Sequence, residues 1–220
     1  LPPTSLQATG LLAVTLWLFA ALLGATPARA HVHPFELPQP GDAPDTLLAI
    51  VEIPAGSNIK YEIDPENGYL FVDRYLSMPV HYPAHYGSLP SLFAEDGDPL
   101  DVLVFTRAPI EPGTLIRVRP IGVMIMRDGE EVDDKFITVP TDRVDPYYRD
   151  VREIEDLPPT QRHALEQFFR VYKNLPAGRN HDVTTGGFEN AESARKRLRK
   201  MQTTEPRHAR EEDAEPREAQ

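Results

Sequence analysis

An α+β fold that is mainly β, a small antiparallel barrel or sandwich followed by two helices, is what this chain predicts. Three observations carry the prediction. Short apolar runs succeed one another between residues 47 and 139 with no helical stretch among them. Turn residues such as Pro54-Ala55-Gly56, Pro65-Glu66-Asn67-Gly68 and Glu111-Pro112-Gly113 separate the runs, as expected of meandering strands. The chain also holds 23 prolines in 220 residues, roughly twice the average share of about 5%, and proline breaks helix interiors.

In chain order, residues 1–30 read as a targeting segment. An apolar stretch over 11–23 is followed by Gly24, Pro27 and the small-residue site Ala28-Arg29-Ala30, the pattern a signal peptidase reads. The stretch is shorter than the ~20 residues a membrane span needs. A cleaved leader makes the protein exported, periplasmic or secreted, with no stable membrane insertion; without cleavage it is cytoplasmic. Residues 31–45 form an extended Pro- and Gly-rich arm. The domain proper is expected over 46–202, with strands at 47–53, 59–63, 69–73, 100–105, 115–119, 121–126 and 135–139. A first helix is expected over 160–175, with Leu165, Phe168, Phe169 and Tyr172 on one stripe. A basic second helix follows over 190–201, opened by an Asn cap. Residues 203–220 are charged, nearly devoid of large apolar groups, and read as a disordered tail.

A hydrophobic share of 40% suits a folded domain, and a formal charge of −11 argues against a general nucleic-acid binder. The absence of cysteine removes disulfides, thiolate catalysis and cysteine-bound zinc. Chemistry gathers instead at Asp96-Gly97-Asp98-Pro99-Leu100-Asp101, which crowds three acids at the mouth of a strand. Two carboxylates ~5 Å apart repel by ~3 kcal/mol at an effective dielectric of ~20. A hard cation such as magnesium, manganese or calcium relieves that repulsion. Alternation along strands sends Lys60 and Glu62 to one face. Arg74 ends one strand and Lys135 begins another, after the acidic loop Asp128 to Asp134. Tyr82, Tyr86, Tyr172 and Lys173 add hydroxyls and a cation able to bind phosphate oxygens. Metal-assisted chemistry on a phosphate or similar oxyanion follows from this set.

The motifs, in order, are Val51-Glu52-Ile53-Pro54, Ile59-Lys60-Tyr61-Glu62, Phe71-Val72-Asp73-Arg74 and Tyr82-Pro83 with Tyr86-Gly87. Then come the aspartate run, Asp133-Asp134-Lys135, and Phe168-Phe169 with Tyr172-Lys173. Over about Glu52 to Met201 the chain resembles the family I soluble inorganic pyrophosphatases. The resemblance implies a five-stranded OB-like barrel flanked by two C-terminal helices, and hydrolysis of pyrophosphate to two phosphates. It implies magnesium, with manganese as the alternative, and a homo-oligomer. Asp96, Asp101 and Asp133 are implied as metal ligands, with Asp128 recruiting further metal. Asp98 is implied as the base acting on water. Lys60, Arg74, Tyr86, Lys135, Tyr172 and Lys173 are implied to grip phosphate oxygens, supported by Glu52, Glu62 and Tyr82.

Some positions depart from the family pattern. His85 stands where asparagine is typical, Gly129 follows Asp128 in place of a longer polar residue, and Arg179 replaces a lysine. Two other classes compete with the enzyme: an exported protein that binds a divalent cation or phosphate compound without catalysis, and an OB-like interaction module. The retained basic set and Asp98 disfavour the first, and acids among the aromatics disfavour the second. A smaller expectation concerns His31-Val32-His33, which after cleavage offers an amine, two amides and an imidazole to copper or nickel. An ordinary arm packing on the barrel is the competing reading.

Overall fold

The computed structural model describes residues 32–94, 97–174 and 182–201. The expected targeting segment, His31, Asp96, Arg179 and the charged tail fall outside these residues. Nine strands are described: β1 (Leu47–Ile53), β2 (Ile59–Ile63), β3 (Leu70–Tyr75), β4 (His85–Phe93), β5 (Pro99–Val104), β6 (Thr114–Asp128), β7 (Glu131–Val132), β8 (Lys135–Pro140) and β9 (Val183–Asn190). The helices are α1 (Pro159–Val171) and α2 (Ala191–Met201).

Strand order β1-β4-β5-β8-β6, with β6 pairing back to β1, closes a five-stranded barrel. Closure removes the exposed edges that an open sheet would present. Every pairing around it is antiparallel except β5 with β8, which runs parallel in the register Val102 to Phe136. β2 and β3 form a separate hairpin. One apolar cluster collects Leu47, Ala49, Val51, Val102, Val118, Val123 and Phe136 with Ala194 and Leu198 of α2. A second gathers Leu103, Ile121, Met124, Ile137 and Val139 with Leu165, Phe168, Phe169 and Tyr172. Alternation therefore gives β5 and β8 one apolar set for each face. Asp101 shares the Leu103 face and Lys135 the Ile137 face, which is the side that α1 covers.

The helices form where spacing dictates. Leu165, Phe168, Phe169 and Tyr172 recur at helical intervals and are buried. α1 ends at Val171, earlier than the 175 expected, so Tyr172 is its C-cap and Lys173 lies just beyond. Asn190 caps α2, its Oδ1 accepting the Ser193 N–H at 3.0 Å. Phe35 of the arm packs with Ile50 and Ile63. Gln39 ties the arm to the barrel by donating to Leu48 O and Pro90 O at 3.0 and 2.7 Å.

Besides the early end of α1 and the two-residue β7, three strands differ from the sequence expectation. The runs 115–119 and 121–126 are one strand, β6, because Pro120 sits at a register shift opposite β8 and interrupts pairing without ending the strand. β4 went unassigned because Pro90 and Ser91, at φ 53°, interrupt it, and pairing with β5 resumes only at Phe93. β9 contains Gly186-Gly187, a loop signal on paper. In the fold this pair lies at an irregularity opposite Ile125, where a Cβ on Gly186 would come within 3.0 Å of the Ile125 side chain.

Candidate active site

Parallel pairing of β5 and β8 sets Asp101 beside Lys135, although 34 residues separate them. The Lys135 ammonium donates to Asp101 Oδ2 and to Asp133 Oδ1. Lys135 is only 1% exposed. Burial pulls its pKa down, but the two carboxylates more than offset this and hold it above the ordinary lysine value. Asp133 is pushed up to about 6 by burial and by Asp101, against the pull of Lys135 and Lys173. Lys173 donates to Asp128 at the end of β6.

Aromatic rings wall this charge cluster. Tyr82 packs on Phe168 with centroids 4.7 Å apart, and Phe168 stacks on Tyr172 at 5.1 Å. The Lys135 ammonium lies 5.9 Å from the ring centroids of both Tyr86 and Phe169. Burial raises the Tyr172 phenol, and Tyr82, Asp133, Asp101 and Asp128 raise it further. Three of the predicted acids therefore act on one hydroxyl. Tyr86 is raised by burial and then by Asp101 and Asp133. Both phenols stay protonated at neutral pH and are available as donors.

The β2–β3 hairpin supplies a second group. Lys60 pairs across strands with Arg74, and its ammonium binds Glu62 and lies 3.1 Å from Asp73 Oδ2. Arg74 Nη1 donates to the same Asp73 oxygen at 2.5 Å. Glu52, on β1, bridges the two groups electrostatically. Burial pushes its carboxyl up to about 8, opposed by the Ser88 hydroxyl that donates to it. Asp101 and Glu62 raise it further, and Lys60 lowers it. Tyr82 is raised by burial, with Arg74 lowering it and Asp101, Asp73 and Glu62 raising it. Glu52 and Tyr82 thus respond to the hairpin charges and to the barrel acid Asp101 alike.

Asp98 is exposed; its backbone carbonyl accepts the Ala94 N–H at 2.8 Å, closing a tight turn. Gly97 within that turn has φ 89°, a conformation that a side chain would strain. Asp96 lies outside the described residues, so the full triad of acids does not enter the geometry. Among the described residues no three acidic or histidine side chains close on one point, since Lys135 stands between Asp101 and Asp133. The donor set nonetheless fits a hard dication. It is all carboxylate oxygen, and a dication would offset both the burial that raises Asp133 and the repulsion from Asp101.

Sequence reasoning passed over three contributors. Asp73, inside a quoted motif, holds both Lys60 and Arg74. Ser88 lies on β4, which the sequence does not announce, and Asp134, inside the Asp133-Asp134-Lys135 motif, carries no sign of its partner. His33 is a structural peg: its Nδ1 accepts the Phe35 N–H at 3.1 Å, and its Nε2 lies 3.0 Å from Asp64 O. With the imidazole engaged on both nitrogens, His33 fits the arm-packing reading, while His31 of the copper expectation lies outside the described residues. His85 is buried, its Nδ1 accepting the Ala55 N–H at 3.1 Å.

A sequence profile described as inorganic pyrophosphatase matches residues 49–205. The chain belongs to the inorganic pyrophosphatase family. Its reaction is accordingly the hydrolysis of inorganic pyrophosphate. The chain is 44% identical over 166 residues to an inorganic pyrophosphatase of Pseudomonas aeruginosa, covering 75% of this chain and 94% of that one. It is 44% identical over 144 residues to an Aquifex pyrophilus inorganic pyrophosphatase, covering 66% and 81%. The crystal structure of the Thermus thermophilus inorganic pyrophosphatase superposes with a TM-score of 0.74 at 35% identity, covering 77% and 97%. The Helicobacter pylori enzyme gives 0.71 at 41%, covering 76% and 96%. The barrel and two helices are thus those of a pyrophosphatase, as expected.

Proposed function

We propose that this inorganic pyrophosphatase works with magnesium, or manganese in its place, held by Asp96, Asp101 and Asp133, with Asp128 recruiting further metal beside the substrate. Bound metal supplies charge neutralisation and lowers the pKa of water. Asp98, exposed at the mouth of β5, takes the proton from the attacking water. Lys60, Arg74, Lys135 and Lys173 bind the phosphate oxygens and stabilise charge on the departing phosphate. Tyr86 and Tyr172, kept protonated by burial and neighbouring acids, donate hydrogen bonds to the same oxygens. Glu52, Glu62 and Tyr82 support this lining.

The observation that carries the reading is the buried Lys135 ammonium shared by Asp133, which immediately precedes its strand, and by Asp101, brought in from β5 34 residues away. Such a cluster serves an anion accompanied by cations better than it serves a hydrophobic core. Phosphate release from pyrophosphate, with magnesium and with manganese, tests it. Asp98→Asn abolishes release and leaves the circular dichroism spectrum unchanged. Retained release in that variant removes Asp98 as the base. No release from the wild type with either metal leaves the non-catalytic binding protein standing. The proposal extends to a homo-oligomer, and to export after cleavage at Ala30, which N-terminal sequencing of the secreted protein checks.

A further inference from the structure

The acidic loop between β6 and β8 is held from behind by the last helix. Asp133 donates its N–H to Met126 O at 2.9 Å. The next residue, Asp134, returns the bond through its side chain, Oδ1 accepting the Met126 N–H at 3.1 Å. Residues 133 and 134 thus form a rung on the edge of β6. The other Asp134 oxygen, Oδ2, accepts from Arg197 Nη1 at 2.8 Å across 63 residues of chain. The rest of the guanidinium fork rests on Glu189, Nη2 to Oε1 at 2.9 Å and Nε to Oε2 at 3.3 Å. Arg197 is therefore fixed by Glu189 of β9 and delivers one donor to a carboxylate that is only 11% exposed. Its helix is itself seated by buried Ala191, Ala194 and Leu198.

The side-chain partners make this contact matter for chemistry. The Asp133 carboxylate meets the Lys135 ammonium, whereas the Asp134 carboxylate between them is taken up by the Met126 N–H and Arg197. Whatever fixes Asp134 behind the strand fixes the aim of both neighbours in front. We propose that Arg197 is a positioning residue of the active site, acting through Asp134 to orient Asp133 and Lys135. The inference rests on the reading of Asp133 as a metal ligand. A planar fork gripping two carboxylates is a job for arginine, because a lysine point charge cannot span both.

The test is calorimetric titration of the full chain with manganese alone, beside pyrophosphate kinetics, on Arg197→Gln, Asp134→Asn and the double variant. Groups that orient metal ligands typically cost 10- to 100-fold in affinity when replaced. Each single variant is expected to weaken manganese binding by about that factor, and the double by no more than the worse single, because the two act as one unit. Wild-type affinity in Arg197→Gln, or effects that add in the double variant, overturns the inference. If Arg197→Gln fails to fold, Asp134→Asn decides alone, since it removes the charge partner while retaining an acceptor for Met126. Asp133→Asn separates the two levels of argument. Undiminished manganese binding there defeats the ligand assignment and the inference with it. Weakened binding there beside a normal Arg197→Gln defeats only the inference.

Discussion

Replacing Lys135 by methionine tests the electrostatic core of the site. The methionine keeps most of the volume and removes the ammonium that Asp101 and Asp133 share. Because both oxygens bond one nitrogen, they lie within about 5 Å of each other, a repulsion of ~3 kcal/mol at an effective dielectric of ~20. Removing one partner from a buried ionic group typically costs about 3–5 kcal/mol, so the two routes agree. At roughly 2–4 °C per kcal/mol for a protein of this size, melting falls by about 6–20 °C in chelator. Differential scanning calorimetry with chelator and then with magnesium measures it. A dication between the acids replaces the missing charge, so magnesium raises the variant's melting temperature more than the wild type's. Phosphate release should fall about 100- to 1,000-fold, as when a donor to developing charge is lost. Melting at the wild-type temperature in chelator, or equal stabilisation of both proteins by magnesium, refutes the reasoning.

Other perturbations follow from the same geometry. Burial holds the His85 imidazole below the ordinary 6.5, so the unfolded chain takes up the proton first. Stability is then greatest above about 6.5 and is lost as pH falls through the window beneath it. Urea midpoints across that window should slope less in His85→Asn. Ser88→Ala leaves the buried Glu52 carboxyl without its donor and should cost about 1–3 kcal/mol by urea unfolding. Gly87→Ala places a Cβ 1.8 Å from the Ile50 carbonyl oxygen; β1 and β4 cannot both keep their positions, and soluble yield should collapse. Asp73→Asn releases Lys60 and Arg74 from their shared carboxylate, and steady-state kinetics should show the loss mainly in KM.

Much of this was legible because acids, bases and strands follow strong local rules. The apolar run 47–53 and the alternating run 59–63 end where expected, and the aromatic stripe of α1 announces itself by period. β4 and β9 were not legible, since Pro90, Ser91 and Gly186-Gly187 are loop residues by preference and are tolerated only because neighbouring strands supply pairing partners. The site was readable as a collection of residue types. Its wiring was not: nothing local tells that Asp134 turns away from Asp133, or that Arg197 waits 63 residues downstream to receive it. Ser88 likewise became visible only when β4 placed it against Glu52.

The parallel pairing of β5 with β8 has a consequence for how the enzyme matures. The two strands cannot pair with each other until the whole of β6, the longest in the barrel, has been laid down between them in sequence, so this contact is of high order and late. A chain interrupted just before Lys135 retains its acids without the counter-charge that lets them sit together. Turnover of pyrophosphate therefore reports a finished barrel, and half-made copies stay catalytically silent.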